Sequence, residues 1–158
     1  MKMNKISKYI AAGAILAVLT VLPGSCTAAR FPIQDGYYSA EAAEFDEFGW
    51  KEFVTIGVSS GQIILVEYDA FNASGFVKSW DMDYMRIMNA EDGTYPNAFT
   101  RYYGEKLLSY QGTRGVDILA GATHSYHSFL QLAEAALENA RLGDVATRFV
   151  RLSDPDAE

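Results

Sequence analysis

The sequence predicts an α+β fold in which an antiparallel meander sheet packs against helices. In the first half of the chain, Val54, Ile56 and Val58 alternate with residues of the opposite face, which is the period of a β-strand. In the second half, apolar residues recur at helical spacing: Phe129, Leu132, Ala133, Ala136, Leu137 and Ala140. The chain has 158 residues, 49% of them hydrophobic, which suffices for one globular domain and a short appendage.

Three strands are predicted between residues 37 and 68. They cover residues 37–45, 50–58 and 63–68, and the turn at 46–49 separates the first two. Ser-Ser-Gly at residues 59–61 is typical of a hairpin turn between the second and third strands. Consecutive strands joined in this way predict a meander with one face covered by helices.

Three helices are predicted after residue 75. The first can be capped by Ser79 or Asp81 and ends at the turn 92–93. Its apolar residues, interpreted as core residues rather than metal ligands, are Met82, Met85, Ile87 and Met88. The second helix covers residues 97–110, and the last helix ends at Gly143.

The first 25 residues are typical of an export signal. Three lysines precede an apolar run at residues 9–22, before any acidic residue. The run is shorter than the roughly 20 residues that a membrane span needs. It leads to the only cysteine, Cys26, through Leu-Pro-Gly-Ser, which resembles a bacterial lipobox with Pro23 where Leu is usual. The pattern predicts lipidation of Cys26; the alternative is ordinary cleavage near residues 27–29 and a soluble product.

The domain organisation predicted from these patterns has four parts. They are a signal peptide at 1–25, a tether at 26–34, a folded domain at 35–143 and a polar tail at 144–158. Without the signal, 10 basic and 20 acidic residues remain, a formal charge of −10, which argues against a nucleic-acid partner. One cysteine excludes an intramolecular disulfide, and two histidines are too few for a typical zinc site.

The segment 117–126 carries the clearest candidate site. Small residues at 120–122 allow the backbone to approach a ligand closely. Thr123 follows at the predicted N-cap of the last helix, where unpaired N–H groups and the helix dipole favour an anion. The segment therefore predicts an anion site, and the alternative is a plain threonine cap after a tight turn.

The segment from Asp117 to Thr123 resembles the flavinylation motif of the FMN-binding domain family, Asp-x-x-Ser/Thr-Gly-Ala-Thr/Ser. Further similarity to exported lipoproteins of that family lies at residues 35–38, 49–53, 67–72 and 93–96, so that the resemblance covers about 35–143. Ala120 stands where the motif usually has Ser or Thr. The resemblance implies an FMN-binding domain in which the Thr123 hydroxyl is esterified to the phosphate of FMN.

The resemblance also implies roles for neighbouring residues. A separate Mg-dependent FAD:protein FMN transferase would attach the cofactor within the Gly121-Ala122-Thr123 motif. Asp117 would orient the motif or assist the transferase, or else cap a turn. His124 is expected to be solvated or to lie near the phosphate, rather than to act as a metal ligand together with His127. Candidate contacts of the flavin ring, for which the alternative is ordinary core packing, are Trp50, Tyr68, Asn72 and Tyr95.

The function expected from the resemblance is that of an exported, lipid-anchored electron carrier, not an enzyme, on the outer face of the cytoplasmic membrane or in the periplasm. Its expected partners are a membrane quinone-oxidising dehydrogenase or a reductase. Two alternatives stay open: a flavin-free lipoprotein binding module with the same fold, and the flavin subunit of a reductase. The intact Gly-Ala-Thr sequence favours the carrier, and Ala120 favours the binding module.

Overall fold

The structure is a computed structural model that describes residues 32–153. The predicted signal peptide, Cys26, most of the tether and the last five residues lie outside the described residues. One sheet contains the four strands β1 (Gly36–Ala42), β2 (Lys51–Ser59), β3 (Gln62–Phe71) and β4 (Arg148–Val150), in the order β3-β2-β1-β4. The helices are α1 (Met82–Asp92), α2 (Pro96–Tyr110) and α3 (Thr123–Leu142), and a 3-10 turn (Lys78–Trp80) precedes α1. The predicted α+β fold is confirmed.

The predicted meander forms β1, β2 and β3, which pair antiparallel in sequence order. Ser60 and Gly61 join β2 to β3 with φ angles of 54° and 69°, the backbone twist that two-residue hairpins favour. β1 ends at Ala42, short of the predicted Phe45. The reason is a turn in which Asp46 Oδ1 accepts hydrogen bonds from the backbone N–H groups of Phe48 and Trp50.

The fourth strand was not predicted. β4 pairs parallel with β1, with Ala40 opposite Arg148, so the folded body extends beyond the predicted boundary at residue 143. Its three residues cover the edge of β1 that the meander leaves unpaired. A strand of this length is too short to show alternation in the sequence. The polar composition of residues 144–158 therefore predicts a tail instead of a strand.

The core lies between the sheet and the helices α2 and α3. The predicted apolar face of β2, Val54, Ile56 and Val58, is buried, as is the predicted face of α3 through Leu132 and Leu137. These residues belong to one hydrophobic cluster. The periodicities that predicted β2 and α3 therefore also identified the core.

The prediction that the apolar residues of α1 belong to the core is wrong, because no residue of this helix is buried. Met82 is 67% exposed and Ile87 58% exposed, while Met88 is half-buried and packs against the core from outside. Asp81 caps the helix by accepting a hydrogen bond from the N–H of Tyr84. The helix is correctly bounded but lies on the surface, because α2 and α3 already cover the sheet.

The two ends of α3 have different neighbours. At its C-terminal end, the N–H of Gln34 donates to the carbonyl oxygen of Ala140. Thr123 begins the helix 17 residues before Ala140, which corresponds to about 25 Å along the axis. Thr123 and the contact of Gln34 with Ala140 are therefore at opposite ends of one helix.

Candidate functional site

A cavity of about 880 Å³ opens at the N-terminal end of α3. The loop 42–48 forms one wall, and α1 forms another through Tyr84, Ile87 and Met88. The cavity is also lined by Trp50 and Glu52 at the start of β2 and by Lys78 of the 3-10 turn. Residues 151–153 contribute from the C-terminal side of β4. The cavity lies within the volume range of about 300–1,000 Å³ that small-molecule sites occupy.

The turn before α3 and the first residues of the helix line this cavity with Gly121, Ala122, Thr123, His124 and Ser125. Ala122, not Thr123, is the N-cap, so the predicted capping role of Thr123 is wrong. Thr123 is the first helical residue and is exposed. No side chain caps the helix by a hydrogen bond, which leaves its first turn suited to receive an anion. The threonine hydroxyl is thus accessible at the start of an uncapped helix.

Both the backbone conformation and the close packing of the turn require a glycine at Gly121. Its φ is +77°, a conformation that favours glycine, and a Cβ there would collide with the carbonyl oxygen of Asp92. The Cγ2 atom of Thr94 would lie 3.1 Å away on the other side. The close approach predicted for the small residues is therefore an approach to the end of α1, and it fixes Thr123 relative to that helix.

Trp50 is the one ring candidate that lines the cavity. It is 7% exposed, and its ring lies 6.3 Å from that of Tyr84, centroid to centroid. The ammonium of Lys78 lies 5.7 Å from the centre of the Trp50 ring and 5.1 Å from that of Tyr84. The faces of aromatic rings attract a cation at these distances. Lys78 thus brings a positive charge to a cavity lined by aromatic side chains.

Glu52 is a site residue that the sequence analysis missed. It is half-buried on the face of β2 that carries Val54, where its Oε1 atom lies 3.0 Å from the hydroxyl of Tyr68. Burial raises the pKa of Glu52, while hydrogen bonds from Ser128 and Tyr68 and the charge of Lys78 oppose the rise. The sequence signal that could have identified it is an acidic residue on the same strand face as buried Val54, because a buried charge needs compensating partners.

Tyr68 lies beneath the cavity and does not line it. The side chain is 3% exposed and contacts the ring of Phe129 in the core. Its hydroxyl also lies 2.9 Å from the carbonyl oxygen of Ser125, in the first turn of α3. Burial, followed by the Glu52 charge, raises the pKa of Tyr68 well above its usual value. Tyr68 therefore links Glu52 to the helix that begins with Thr123.

Three other predicted site residues do not line the cavity. Asp117 is exposed, and Tyr95 is the N-cap of α2. Asn72 organises a turn, because its Oδ1 atom accepts hydrogen bonds from the N–H groups of Ser74 and Phe76. Neither Asn72 nor Tyr95 belongs to the hydrophobic core, so the alternative of core packing does not describe them either.

The cavity carries more negative than positive charge. Its acidic lining residues are Glu44, Asp46, Glu47, Glu52, Glu91 and Asp92, and its lysine and arginine residues are Lys78 and Arg151. Within residues 32–153, no three His, Cys, Asp or Glu side chains are grouped so as to hold a metal ion. In the same range, no helix is both long enough and apolar enough to cross a membrane.

Comparison with known proteins places the chain in a lipoprotein family. No family model matches the chain. The 15 kDa lipoprotein of Treponema pallidum (strain Nichols) is 37% identical over 132 residues, which cover 84% of this chain and 92% of that protein. The crystal structure of the CPE2226 protein from Clostridium perfringens superimposes with a TM-score of 0.73 at 33% identity, covering 77% of this chain and 99% of that one. The chain therefore belongs to the family of the Treponema 15 kDa lipoprotein.

Proposed function

We propose that this protein is an exported, lipid-anchored electron carrier with FMN attached covalently to Thr123. The observation that carries the proposal is the position of Thr123, an exposed hydroxyl residue at the uncapped start of α3 and on the wall of a cavity. The resemblance of residues 117–123 to the flavinylation motif identifies the same hydroxyl. Sequence motif and cavity thus support one attachment point.

The residues around the cavity fit this cofactor in three respects. The volume of about 880 Å³ is adequate for a drug-sized molecule. The first turn of α3 offers N–H groups and a dipole that stabilise a phosphate. Trp50 supplies an aromatic surface of the kind that stacks on a planar ring. A phosphoester at Thr123 would therefore leave the ring next to residues suited to hold it.

Bound FMN would supply reversible uptake and release of electrons, while the chain's own residues determine its position and its electrostatic surroundings. Gly121 fixes the turn that presents Thr123. Lys78 places a positive charge in the cavity and favours any negative charge that develops there. The outward wall, residues 43–48, includes the exposed Phe45 and Phe48 and is accessible to a redox partner.

The attachment is tested by producing the domain together with an active FAD:protein FMN transferase and Mg²⁺. We expect a yellow protein that stays yellow after denaturation and whose mass exceeds that of the unmodified chain by FMN less one water. Thr123→Val preserves the shape of the side chain and removes only the hydroxyl. We expect this variant to fold and to acquire no covalent flavin.

Ser125→Ala is the matched control, because Ser125 is the neighbouring hydroxyl in the same turn and also lines the cavity. We expect this variant to be flavinylated as fully as the wild type. Flavin on Thr123→Val would show that another residue accepts it. A wild-type chain that stays colourless, beside a known substrate that the same transferase does modify, would end the carrier proposal.

Lipidation of Cys26 is the second part of the proposal. Its support is the cysteine at the end of the export signal together with membership of a family represented by a named lipoprotein. Metabolic labelling with a radioactive fatty acid should mark the wild type and leave Cys26→Ala unlabelled and released from the membrane fraction. Label and fractionation that do not change in Cys26→Ala would instead support cleavage near residues 27–29.

The acidic lining of the cavity favours a second candidate, a flavin-free binding module. Six acidic lining residues outnumber the two lysine and arginine residues, and this charge balance attracts a cationic ligand. Such a module would bind a basic peptide or a similar cation and would stay colourless with an active transferase. The flavinylation experiment therefore also distinguishes the two candidates.

A further inference from the structure

The Tyr68 hydroxyl has two close acceptors and one hydrogen. Its oxygen lies 3.0 Å from Glu52 Oε1 and 2.9 Å from the carbonyl oxygen of Ser125. An ionised carboxylate and a carbonyl can only accept, so an ionised Glu52 leaves one of these two contacts without a hydrogen of its own. A protonated Glu52 supplies the second hydrogen, because its O–H donates to Tyr68 while Tyr68 donates to Ser125.

The charged and titratable groups around Glu52 and Tyr68 come from several neighbouring elements. Lys78 approaches from the 3-10 turn, Asp46 from the loop before β2, and Ser128 from α3, where it donates to Glu52. Tyr103 of α2 lies against Tyr68, with 6.3 Å between the ring centres. Among these effects burial is the largest, and it raises the pKa of Glu52. The environment therefore shifts Glu52 towards the protonation state that satisfies both contacts of Tyr68.

We propose that Glu52 is the proton-exchanging residue of this cavity and that Tyr68 couples its protonation to the first turn of α3, which carries Thr123. Negative charge added to the cavity favours protonated Glu52, and by reciprocity a protonated Glu52 favours the added charge. If that charge belongs to reduced FMN, a step that rests on the proposed function, reduction by an external donor draws one proton from solvent onto Glu52. This uptake occurs at pH values between the Glu52 midpoints of the oxidised and the reduced protein, where Glu52 is ionised before reduction and protonated after it.

The coupling is tested first on the protein without cofactor, by carbon-13 NMR of the Glu52 carboxyl and the Ser125 carbonyl. In the wild type we expect Glu52 to titrate above the ordinary value of about 4.3. The Ser125 carbonyl should shift with the same midpoint. Tyr68→Phe should leave Glu52 titrating and abolish the matching shift at Ser125, and Glu52→Gln should abolish both.

An ordinary or lower midpoint for Glu52 in the wild type would overturn the proposal, as would a Ser125 carbonyl that does not respond. If Tyr68→Phe fails to fold, comparison of the wild type with Glu52→Gln still decides whether the Ser125 shift depends on Glu52. These measurements need no flavin, so they test Glu52 even if Thr123 is never modified.

The second test uses the flavinylated protein, reduced with dithionite at a series of pH values. The midpoint potential of the wild type should fall more steeply with pH between the Glu52 midpoints of the oxidised and the reduced protein, because up to one extra proton is taken up there. Glu52→Gln should lack this steeper segment. Glu47→Gln, which removes an equal charge from an exposed residue of the same cavity, should retain it. Equal slopes in the wild type and Glu52→Gln would overturn the coupling to the cofactor.

Discussion

The two ends of α3 differ in how completely the protein satisfies them. At the C-terminal end, Gly143 adopts a left-handed conformation and its N–H donates to the carbonyl oxygen of Asn139, while Gln34 bonds to Ala140. Arg141 in the last turn complements the helix dipole. At the N-terminal end no side chain caps the helix, and the first turn faces a cavity. The helix is thus capped at one end and exposed to the cavity at the other.

This difference indicates that the core contacts and the proposed site are separated along one element. The buried face of α3 lies between Phe129 and Ala140, beyond the first turn, and belongs to the core cluster. Substitutions on that face should act on the free energy of unfolding. Substitutions in the turn before the helix should act mainly on the geometry of the site. Their effect on the free energy of unfolding should depend on the contacts of the substituted residue.

The largest effect expected is that of Leu137→Asp. Leu137 is 3% exposed within the core, so the substitution places a carboxylate among buried apolar side chains. Unpaired buried charges typically cost about 3–5 kcal/mol of stability. Urea unfolding followed by circular dichroism should show this loss, and the transition should shift to markedly lower urea concentration.

Leu142→Asp provides the matched control in the same helix. Leu142 is 61% exposed at the C-terminal end, so the same substitution leaves its carboxylate in water. Its unfavourable interaction with the helix dipole should cost no more than about 1 kcal/mol. Similar losses in the two variants would contradict the assignment of the core face.

The capped end of α3 could be predicted from sequence, and much of the cavity could not. Helical spacing identified Leu137, and Gly143 marked the end of the helix, because both are local signals. Lys78 reaches the cavity from a 3-10 turn whose position only the tertiary fold determines. Glu52 was predictable in principle, because it lies on the same strand face as Val54. The surface position of α1 was not, because it depends on the tertiary arrangement in which α2 and α3 cover the sheet.

A smaller and more local effect is expected from Gly121→Ala at the open end. The alanine would have to hold a φ of about +77° while its Cβ meets the carbonyl oxygen of Asp92. The left-handed conformation alone costs about 1–2 kcal/mol, and the collision adds to it, so we expect a loss of about 3 kcal/mol. The displaced turn should also slow flavinylation of Thr123, measured as the mass increase with time.

Gly75→Ala separates the cost of the left-handed conformation from the cost of the collision with Asp92. Gly75 has a φ of +82°, nearly that of Gly121, yet no atom lies within 4 Å of the position of its added Cβ. This variant should lose only the conformational cost of about 1–2 kcal/mol and should be flavinylated at the wild-type rate. If both variants lost the same stability, the contact with Asp92 would contribute nothing, and the turn before Thr123 would not be fixed by α1. A larger loss in Gly121→Ala, together with slower flavinylation, would show that the open end of α3 depends on one close backbone contact rather than on a buried face.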